Sequence, residues 1–225
     1  MCLRLVRHAH ASMDTQHTAN AVPAATARAK SVSIFLNTTL KRAEQMNTPH
    51  MSPAETECLT RYVQKATRVF EWGSGGSTIF FESFPNIVSI ESVESDVTFA
   101  QTLSVTRASI RLVDIGPTKD WGYPDNTDLQ HLWPSYPNAF ASRTSDPDLV
   151  LIDGRFRNAC ALAVVLSGLR PIVLVHDFHR AAYQSMLNWF SLVELKDSLA
   201  VLQVRADVAV DRAKEHFVEA CKQTV

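Results

Sequence analysis

Glycine is scarce in this sequence: 7 of its 225 residues are glycine, about half of the share that average usage of roughly 7% predicts. Three of the seven lie close together, at Gly73, Gly75 and Gly76. Glycine permits a left-handed backbone and the close approach of another group. Its concentration in one short segment indicates a special backbone requirement there.

Long apolar runs and a strong net charge are also missing. No run approaches the roughly 20 apolar residues that a membrane span needs. The net charge of −1 gives no general attraction to nucleic acid or to an anionic membrane. We therefore expect a soluble protein that acts on a small-molecule substrate, with no membrane partner and with nucleic acid disfavoured. The oligomeric state stays open.

Cysteine is present but unpaired in sequence, because none of the four cysteines forms a CxxC motif. This spacing argues against a cysteine metal site and a disulfide framework, and predicts a reducing compartment, the cytoplasm. Residues 1–30 carry four basic residues and one acid, which is typical of an unstructured leader or of an organellar transit peptide. We expect residues 1–50 to form a leader and a helix, and residues 51–225 to form one domain.

Hydrophobic periodicity in that domain alternates between strand and helix. Ser52, Pro53 and Glu55 are typical of a helix start and predict a helix over 53–65. The predicted strands are 68–71, 87–94, 110–115, 148–152, 171–175, 192–195 and 199–204; the predicted helices after the first strand are 77–84, 96–103, 158–169 and 208–221. Apolar strands that alternate with helices predict a parallel sheet covered on both faces. The fold class is therefore α/β, a Rossmann-like three-layer sandwich with a mostly parallel seven-stranded sheet and a C-terminal antiparallel hairpin.

One long segment, residues 116–147, does not follow this alternation. It contains five prolines, two tryptophans and two tyrosines. Loops of this length are uncommon inside a compact domain and are usually functional or disordered. The composition favours an ordered cover over a site, with a packed surface loop as the alternative.

The glycine cluster follows the first predicted strand, in the sequence Glu71-Trp-Gly-Ser-Gly-Gly76. Ligands of open α/β sheets bind at the C-terminal ends of the strands, where glycines expose helix N-terminal amides to a negative group. The segment lacks the Lys-Ser/Thr end of a P-loop and the complete GxGxxG spacing. Nucleoside triphosphate hydrolysis is therefore disfavoured.

Carboxylates stand at the ends of the strands that follow. Glu94 lies 21 residues after Gly73, a distance suited to a carboxylate that binds ribose hydroxyls, and Glu91 is the alternative at 18 residues. The later predicted strands end at Asp114, Asp153 and Asp177. Together these acids predict a ligand site along one edge of the sheet.

These segments resemble class I S-adenosylmethionine-dependent methyltransferases over roughly residues 52–206. The resemblance rests on Val69–Thr78, Ser92–Asp96 and Asp148–Asp153. Two longer strings, Asp114–Gly122 and Asp153–Arg157, resemble a little-characterised group of bacterial methyltransferase-like proteins. The resemblance implies S-adenosylmethionine as the cofactor. Its implied contacts are Glu71, Gly73, Ser74 and Gly75 around the methionine part, Glu94 at the ribose, and Asp114 or its neighbours at the adenine.

The implied reaction is methyl transfer to a small acceptor, hydroxylated or acidic. Such catalysis needs alignment, and a base when the acceptor is a hydroxyl. Candidate bases are Asp153, Asp177, His176 and His179. Asp153 and Asp177 also occupy positions that supply metal ligands in catechol-type O-methyltransferases, but Phe178 replaces the usual asparagine, so the sequence leaves the metal question open.

Candidate substrate contacts are Trp121, Arg155 and Arg157. Each arginine suits an acidic acceptor, because a guanidinium binds a carboxylate through two N–H groups. The alternative is that these arginines form salt bridges to Asp153 or Asp177.

Two other functions compete with methyl transfer. Arg7-His8 and Val173–His176 resemble strands of histidine phosphatases, in which His8 would be the nucleophile; that interpretation explains neither the glycine cluster nor Asp153–Arg157. The third possibility is a protein that binds the cofactor or a partner without catalysis.

Overall fold

The computed structural model describes residues 48–103 and 106–224. The predicted leader, the helix within residues 1–50, His8 of the phosphatase hypothesis and Cys2 lie outside the described residues. None of the helices in these described ranges is long and apolar enough to cross a membrane.

The described elements follow the predicted alternation closely. The helices are α1 (Pro53–Val63), α2 (Gly76–Glu82), α3 (Val97–Thr102), α4 (Ser135–Asn138), α5 (Arg157–Leu166) and α6 (Val210–Ala220). The strands are β1 (Arg68–Trp72), β2 (Ser89–Glu94), β3 (Ser109–Leu112), β4 (Thr118–Lys119), β5 (Tyr123–Pro124), β6 (Leu149–Ile152), β7 (Ile172–Val175), β8 (Phe190–Lys196) and β9 (Leu199–Val204).

Helix α1 begins where the sequence predicts. The Glu55 backbone N–H donates to Ser52 Oγ at 3.2 Å, and the Ser52 N–H donates to Glu55 Oε2 at 2.8 Å. This reciprocal pair is a capping box, and Pro53 fits the first helical position because its missing N–H would have no helical partner. Glu55 Oε1 also accepts from Ser198 N at 2.8 Å, so the start of α1 is joined to the turn before β9.

The large sheet has the strand order β3-β2-β1-β6-β7-β9-β8. Strand β9 runs antiparallel to β7 and pairs with β8 as a hairpin; the other neighbours are parallel. The predicted Rossmann-like fold, including the terminal hairpin, is confirmed. From β1 the sheet extends on one side through β2 and β3, and from β6 it extends on the other side through β7 and the β8–β9 hairpin. The strand order therefore reverses between β1 and β6, and ligands bind at this position in such sheets.

The third strand is shorter than the sequence predicts. It ends at Leu112, and Asp114 lies two residues beyond it, so the prediction that Asp114 ends the strand is wrong by those two residues. Strand β3 is at the edge of the sheet, where only β2 pairs with it. With one neighbour, the strand lacks the second ladder that would extend its regular structure.

The proline-rich segment is ordered, as predicted. It forms the small β4–β5 hairpin and the short helix α4, and Trp133, Tyr136 and Phe140 from it are buried in the main core. Phe140 packs edge-on against Phe70 of β1, with ring centroids 4.9 Å apart. The segment therefore packs against the sheet instead of projecting from it.

Candidate cofactor and acceptor site

Gly73 brings the loop after β1 against the loop after β6. Its φ is +94°, in the left-handed region, and a Cβ placed there would lie 2.6 Å from the Gly154 backbone nitrogen. The Gly73 N–H donates to Val93 O in β2 at 2.9 Å. Gly73 therefore serves the close packing of three strand ends, and its nearest neighbours are backbone atoms of the protein.

Gly75 has a different environment. Its φ of 170° is extended, and a Cβ there would meet nothing nearer than Phe99 Cζ at 3.9 Å. It stands directly before the first residue of α2. The loop thus leaves open space at Gly75, and a ligand can approach the backbone there.

Glu71 is fully buried beneath this loop. Its carboxylate accepts hydrogen bonds from the hydroxyls of Ser77, Thr78 (2.6 Å) and Ser92 (2.8 Å). Burial raises the pKa of Glu71 to about 7, despite these hydroxyl donors. Ser74 Oγ lies 2.7 Å from Ser92 Oγ, so Ser74 belongs to the same network. Glu71 can act on a ligand only through the loop that it organises.

The raised pKa of Glu71 makes the stability of the protein pH-dependent. Between about pH 4.5 and pH 7, Glu71 is protonated in the folded protein but has lost its proton in the unfolded chain, where its pKa is near 4.5. The stabilising contribution is therefore complete below about pH 4.5 and is lost as the pH rises through about 7. We expect the free energy of unfolding, measured with urea, to fall between pH 5 and pH 8. The fall should be roughly 2–3 kcal/mol larger in wild type than in Glu71→Gln. Equal losses in the two proteins would contradict this pKa.

Glu94 and Glu91 lie on the same strand but have different partners. Glu94 Oε1 accepts from the backbone N–H groups of Ser95 (2.7 Å) and Asp96 (2.9 Å), at the C-terminal end of β2. Burial raises the pKa of Glu94, against these amide donors. Glu91 instead accepts from Thr144 N at 2.9 Å and from the Thr144 hydroxyl at 2.7 Å. Glu91 therefore anchors a loop, while Glu94 lies at the predicted edge.

A cleft of about 470 Å³ begins at Ser95 and Asp96, the two residues after Glu94, and lies between the ends of β2 and β3. Its lining is Ser95, Asp96, Val97, Thr98, Leu112, Asp114, Gly116, Pro117 and Thr118. Val97 and Leu112 are about half exposed and supply the aliphatic part of this lining. Asp114 is exposed and accepts from Gly116 N at 2.8 Å. The cleft combines an apolar surface with a few polar groups, as small-molecule sites do.

A second polar group lies at the ends of β6 and β7. His176 Nδ1 is 3.1 Å from Asp153 Oδ1, and His176 Nε2 is 3.5 Å from Glu55 Oε2. Burial alone would lower the pKa of His176, but the Asp153 hydrogen bond and the nearby carboxylates raise it overall. Burial would likewise raise the pKa of Asp153, but His176 and the Arg157 charge lower it. Glu55, His176 and Asp153 thus form a continuous line of polar contacts from α1 to the end of β6.

Arg157 is buried and fully engaged. Its guanidinium donates to Asp153 O (2.9 Å), Gly154 O (3.0 Å) and His176 O, and its Nη2 lies 2.9 Å from Asp153 Oδ1 and 3.4 Å from Asp177 Oδ2. Sequence analysis left open a substrate contact or a salt bridge; the geometry of Arg157 is that of the salt bridge. Its role is to hold the ends of β6 and β7 together.

Asp153, His176 and Asp177 offer ligand atoms that all lie within 4.8 Å of one another, which is the geometry of a possible metal site. The donor set nevertheless fits a divalent cation poorly, because Arg157 already bridges the two carboxylates. Asp177 also pairs with Arg180 at 2.8 Å. A guanidinium and a metal ion would compete for the same oxygens.

Replacing Arg157 should destabilise the protein strongly. Arg157→Gln leaves Asp153 and Asp177 without their shared partner, and losing one member of a buried ion pair costs about 3–5 kcal/mol. Arg155→Gln, two residues away, is the control and should lower the melting temperature less, because it removes the contact with Tyr123 but no ion pair between described residues. Thermal melts of both variants check this; equal melting temperatures would contradict it.

Arg155 and Trp121 differ from Arg157. The Arg155 guanidinium stacks over the Tyr123 ring, 4.0 Å from its centroid, and the residue is 9% exposed. Trp121 is 77% exposed, with a positive φ of 64° and its ring 6.2 Å from that of His50. His179 is exposed and lies outside the Asp153 group.

Sequence reasoning missed three members of the site. Glu55 was assigned only to the helix cap, and its contact with His176 depends on how α1 packs beside β7. Ser92 carried no signal beyond its place in a strand. Tyr123 was one of several aromatics in the proline-rich segment, and only the β4–β5 hairpin places it over Arg155.

Comparison with known proteins finds a substantial relative among the solved structures. No protein-family model matches the chain, and no curated protein matches it. The crystal structure of a methyltransferase-like protein from Silicibacter pomeroyi is 31% identical, with a TM-score of 0.72, and the match covers 80% of this chain and 100% of that one.

Two more distant structures are also methyltransferases. MycE from the mycinamycin biosynthetic pathway, in complex with Mg and SAH, is 16% identical, with a TM-score of 0.46 and coverage of 71% of this chain and 50% of that one. The N-methyltransferase NodS from Bradyrhizobium japonicum is 12% identical, with a TM-score of 0.39 and coverage of 68% and 97%.

Proposed function

Because the chain belongs to the methyltransferase-like proteins, we propose that it is a class I S-adenosylmethionine-dependent methyltransferase, which binds S-adenosylmethionine and methylates a small acceptor, hydroxylated or acidic. The observation that carries this proposal is the juxtaposition of open space at Gly75, the Glu94 carboxylate and the cleft beside it. The three lie at the ends of β1, β2 and β3, on one edge of the sheet.

The described residues fit the cofactor part by part. Gly75 leaves the loop open for the methionine part, and Glu71 and Ser74 hold that loop in shape from below. Glu94 is directed by the Ser95 and Asp96 amides and can accept hydrogen bonds from ribose hydroxyls. The half-exposed Val97 and Leu112 provide an apolar surface for a flat adenine ring. When bound, S-adenosylmethionine supplies a methyl group on a sulfonium to the acceptor nucleophile.

Asp153 and His176 are poorly suited to take a proton from a neutral hydroxyl. A general base works best when its pKa is near the operating pH. The lowered pKa of Asp153 makes it a weak base, and both ring nitrogens of His176 face carboxylates. Their proposed role is to fix the ends of β6 and β7 beside the acceptor. This favours an acceptor whose reacting atom is already deprotonated at neutral pH.

The test of this function is acceptor-dependent formation of S-adenosylhomocysteine. The purified protein is incubated with S-adenosylmethionine and a panel of small carboxylic acids, phenols and amines, and product is quantified by mass spectrometry. We expect turnover with at least one ionised acceptor and its loss in Glu94→Gln.

Cofactor binding without catalysis is the second candidate. The engagement of Asp153 and His176 in internal ion pairs favours it, since neither side chain is free to act as a base. Tight binding of S-adenosylmethionine with no product across the panel would support this candidate over methyl transfer.

A further inference from the structure

We propose that Arg155 is the anchor for an oxyanion, a carboxylate or phosphate group, carried by the methyl acceptor. The inference deepens the proposed function. It rests on that function only in identifying the bound anion as part of the methyl acceptor. The anion subsite itself depends only on Arg155 and its surroundings. It is formed by the loop after β6 and by the β4–β5 hairpin, which places Tyr123 against Arg155.

The first observation is that Arg155 is a buried cation without an anionic partner. It is 9% exposed, and none of the ion pairs between described side chains includes it. Removing a charge from water is costly unless another charge or a set of hydrogen bonds compensates. A guanidinium in this position therefore suits a ligand that brings the missing negative charge.

The second observation is the balance of charge around it. Two further arginines, Arg157 and Arg180, and two aspartates, Asp153 and Asp177, lie at the same strand ends. Arg157 pairs with both aspartates and Arg180 pairs with Asp177, at distances of 2.8 to 3.4 Å. Glu55 adds a third carboxylate on the other side of His176, so three arginines face three carboxylates. Arg155 is the arginine among them that forms no ion pair with a described carboxylate.

The third observation is the contact between the guanidinium and Tyr123. The guanidinium carbon lies over the Tyr123 ring, 4.0 Å from the ring centroid, and a cation–π contact of this kind does not need the guanidinium N–H groups as hydrogen-bond donors. Those N–H groups form the fork that binds two oxygens of a carboxylate or phosphate. Arg180 Nη1 lies 3.5 Å from the Tyr123 hydroxyl, so the stacking ring is itself held by a second arginine.

The location agrees with a substrate subsite. Arg155 is two residues beyond Asp153, in the loop that directly follows β6. An oxyanion held by Arg155 would thus stand at the ends of β6 and β7. The cofactor residues Gly75 and Glu94 belong to the strands next along the same edge.

The test is calorimetric titration of the cofactor-free protein with two probes, sodium benzoate and inorganic phosphate, at low ionic strength. We expect one or both to bind wild type with millimolar or better affinity, and Arg155→Gln to lose at least tenfold in affinity. Arg155→Lys, which keeps the charge but not the fork, should retain part of it. Preference for benzoate would identify a carboxylate, and preference for phosphate would identify a phosphoryl group.

The matched control is Arg205→Gln, because Arg205 is exposed and pairs with Asp207 at 3.0 Å. Its anion affinity should equal that of wild type. Circular dichroism confirms that each variant is folded. Absence of binding by wild type for both probes, or equal affinity in Arg155→Gln, would overturn the proposal.

Failure of the proposed function gives a different result. If S-adenosylmethionine does not bind but the anions do, and they depend on Arg155, then the subsite stands and methyl transfer does not. If the cofactor binds and the anions do not, methyl transfer stands and the subsite does not.

Discussion

Glu94→Gln is expected to weaken S-adenosylmethionine binding by about 30- to 150-fold, a loss of roughly 2–3 kcal/mol. The reason is that a carboxylate accepts two charge-assisted hydrogen bonds from a ribose diol, whereas an amide offers one acceptor oxygen and no charge. The Ser95 and Asp96 amides already direct Oε1. The dissociation constant is measured by calorimetry.

The chain offers a closely matched control for this change. Glu91 lies on the same strand and has the same 7% exposure, but its carboxylate binds Thr144. Glu91→Gln should therefore leave the cofactor affinity within about twofold of wild type, the error of such a comparison. If Glu91→Gln lost affinity for S-adenosylmethionine and Glu94→Gln kept the wild-type affinity, the assignment of Glu94 to the ribose would be contradicted in favour of Glu91.

Gly73→Ala is expected to destabilise the protein strongly. The added Cβ would lie 2.6 Å from Gly154 N, and the φ of +94° disfavours any side chain. Overpacking costs about 1–3 kcal/mol and left-handed backbone about 1–2 kcal/mol. A combined loss of about 3 kcal/mol would lower the melting temperature by roughly 6–12 °C in a protein of this size.

Gly75→Ala separates stability from binding in the same loop. Its Cβ would meet no atom within 3.9 Å, and its φ of 170° suits any residue, so its melting temperature should stay near that of wild type. The new Cβ enters the space proposed for the cofactor, so the affinity of Gly75→Ala for S-adenosylmethionine should fall. A melting temperature lowered as far as that of Gly73→Ala would contradict the assigned roles of the two glycines.

Most of the fold could be predicted from local sequence patterns. The Ser52–Glu55 capping box and the apolar runs of β1, β6 and β7 are local signals, and each gave the correct element within a few residues. The error at Asp114 arose on an edge strand, where pairing with one neighbour decides the length. Such pairing is not encoded in hydrophobic periodicity.

The site was less predictable, because its roles depend on contacts between distant segments. Arg155 and Arg157 are equivalent in sequence, yet one stacks on Tyr123 and the other bridges Asp153 and Asp177. This difference in role depends on the β4–β5 hairpin, which places Tyr123 against Arg155 and not against Arg157. Gly73 shows the same limit: the sequence predicts a close approach, but the approaching group is Gly154.

The central claim is that the edge formed by β1, β2 and β3 binds S-adenosylmethionine. Its most direct test is calorimetric titration of the purified chain with S-adenosylmethionine and S-adenosylhomocysteine, with a thermal melt of each mixture. We expect saturable binding of both, with one site per chain, and a raised melting temperature. No heat and no thermal shift with either compound would contradict the claim.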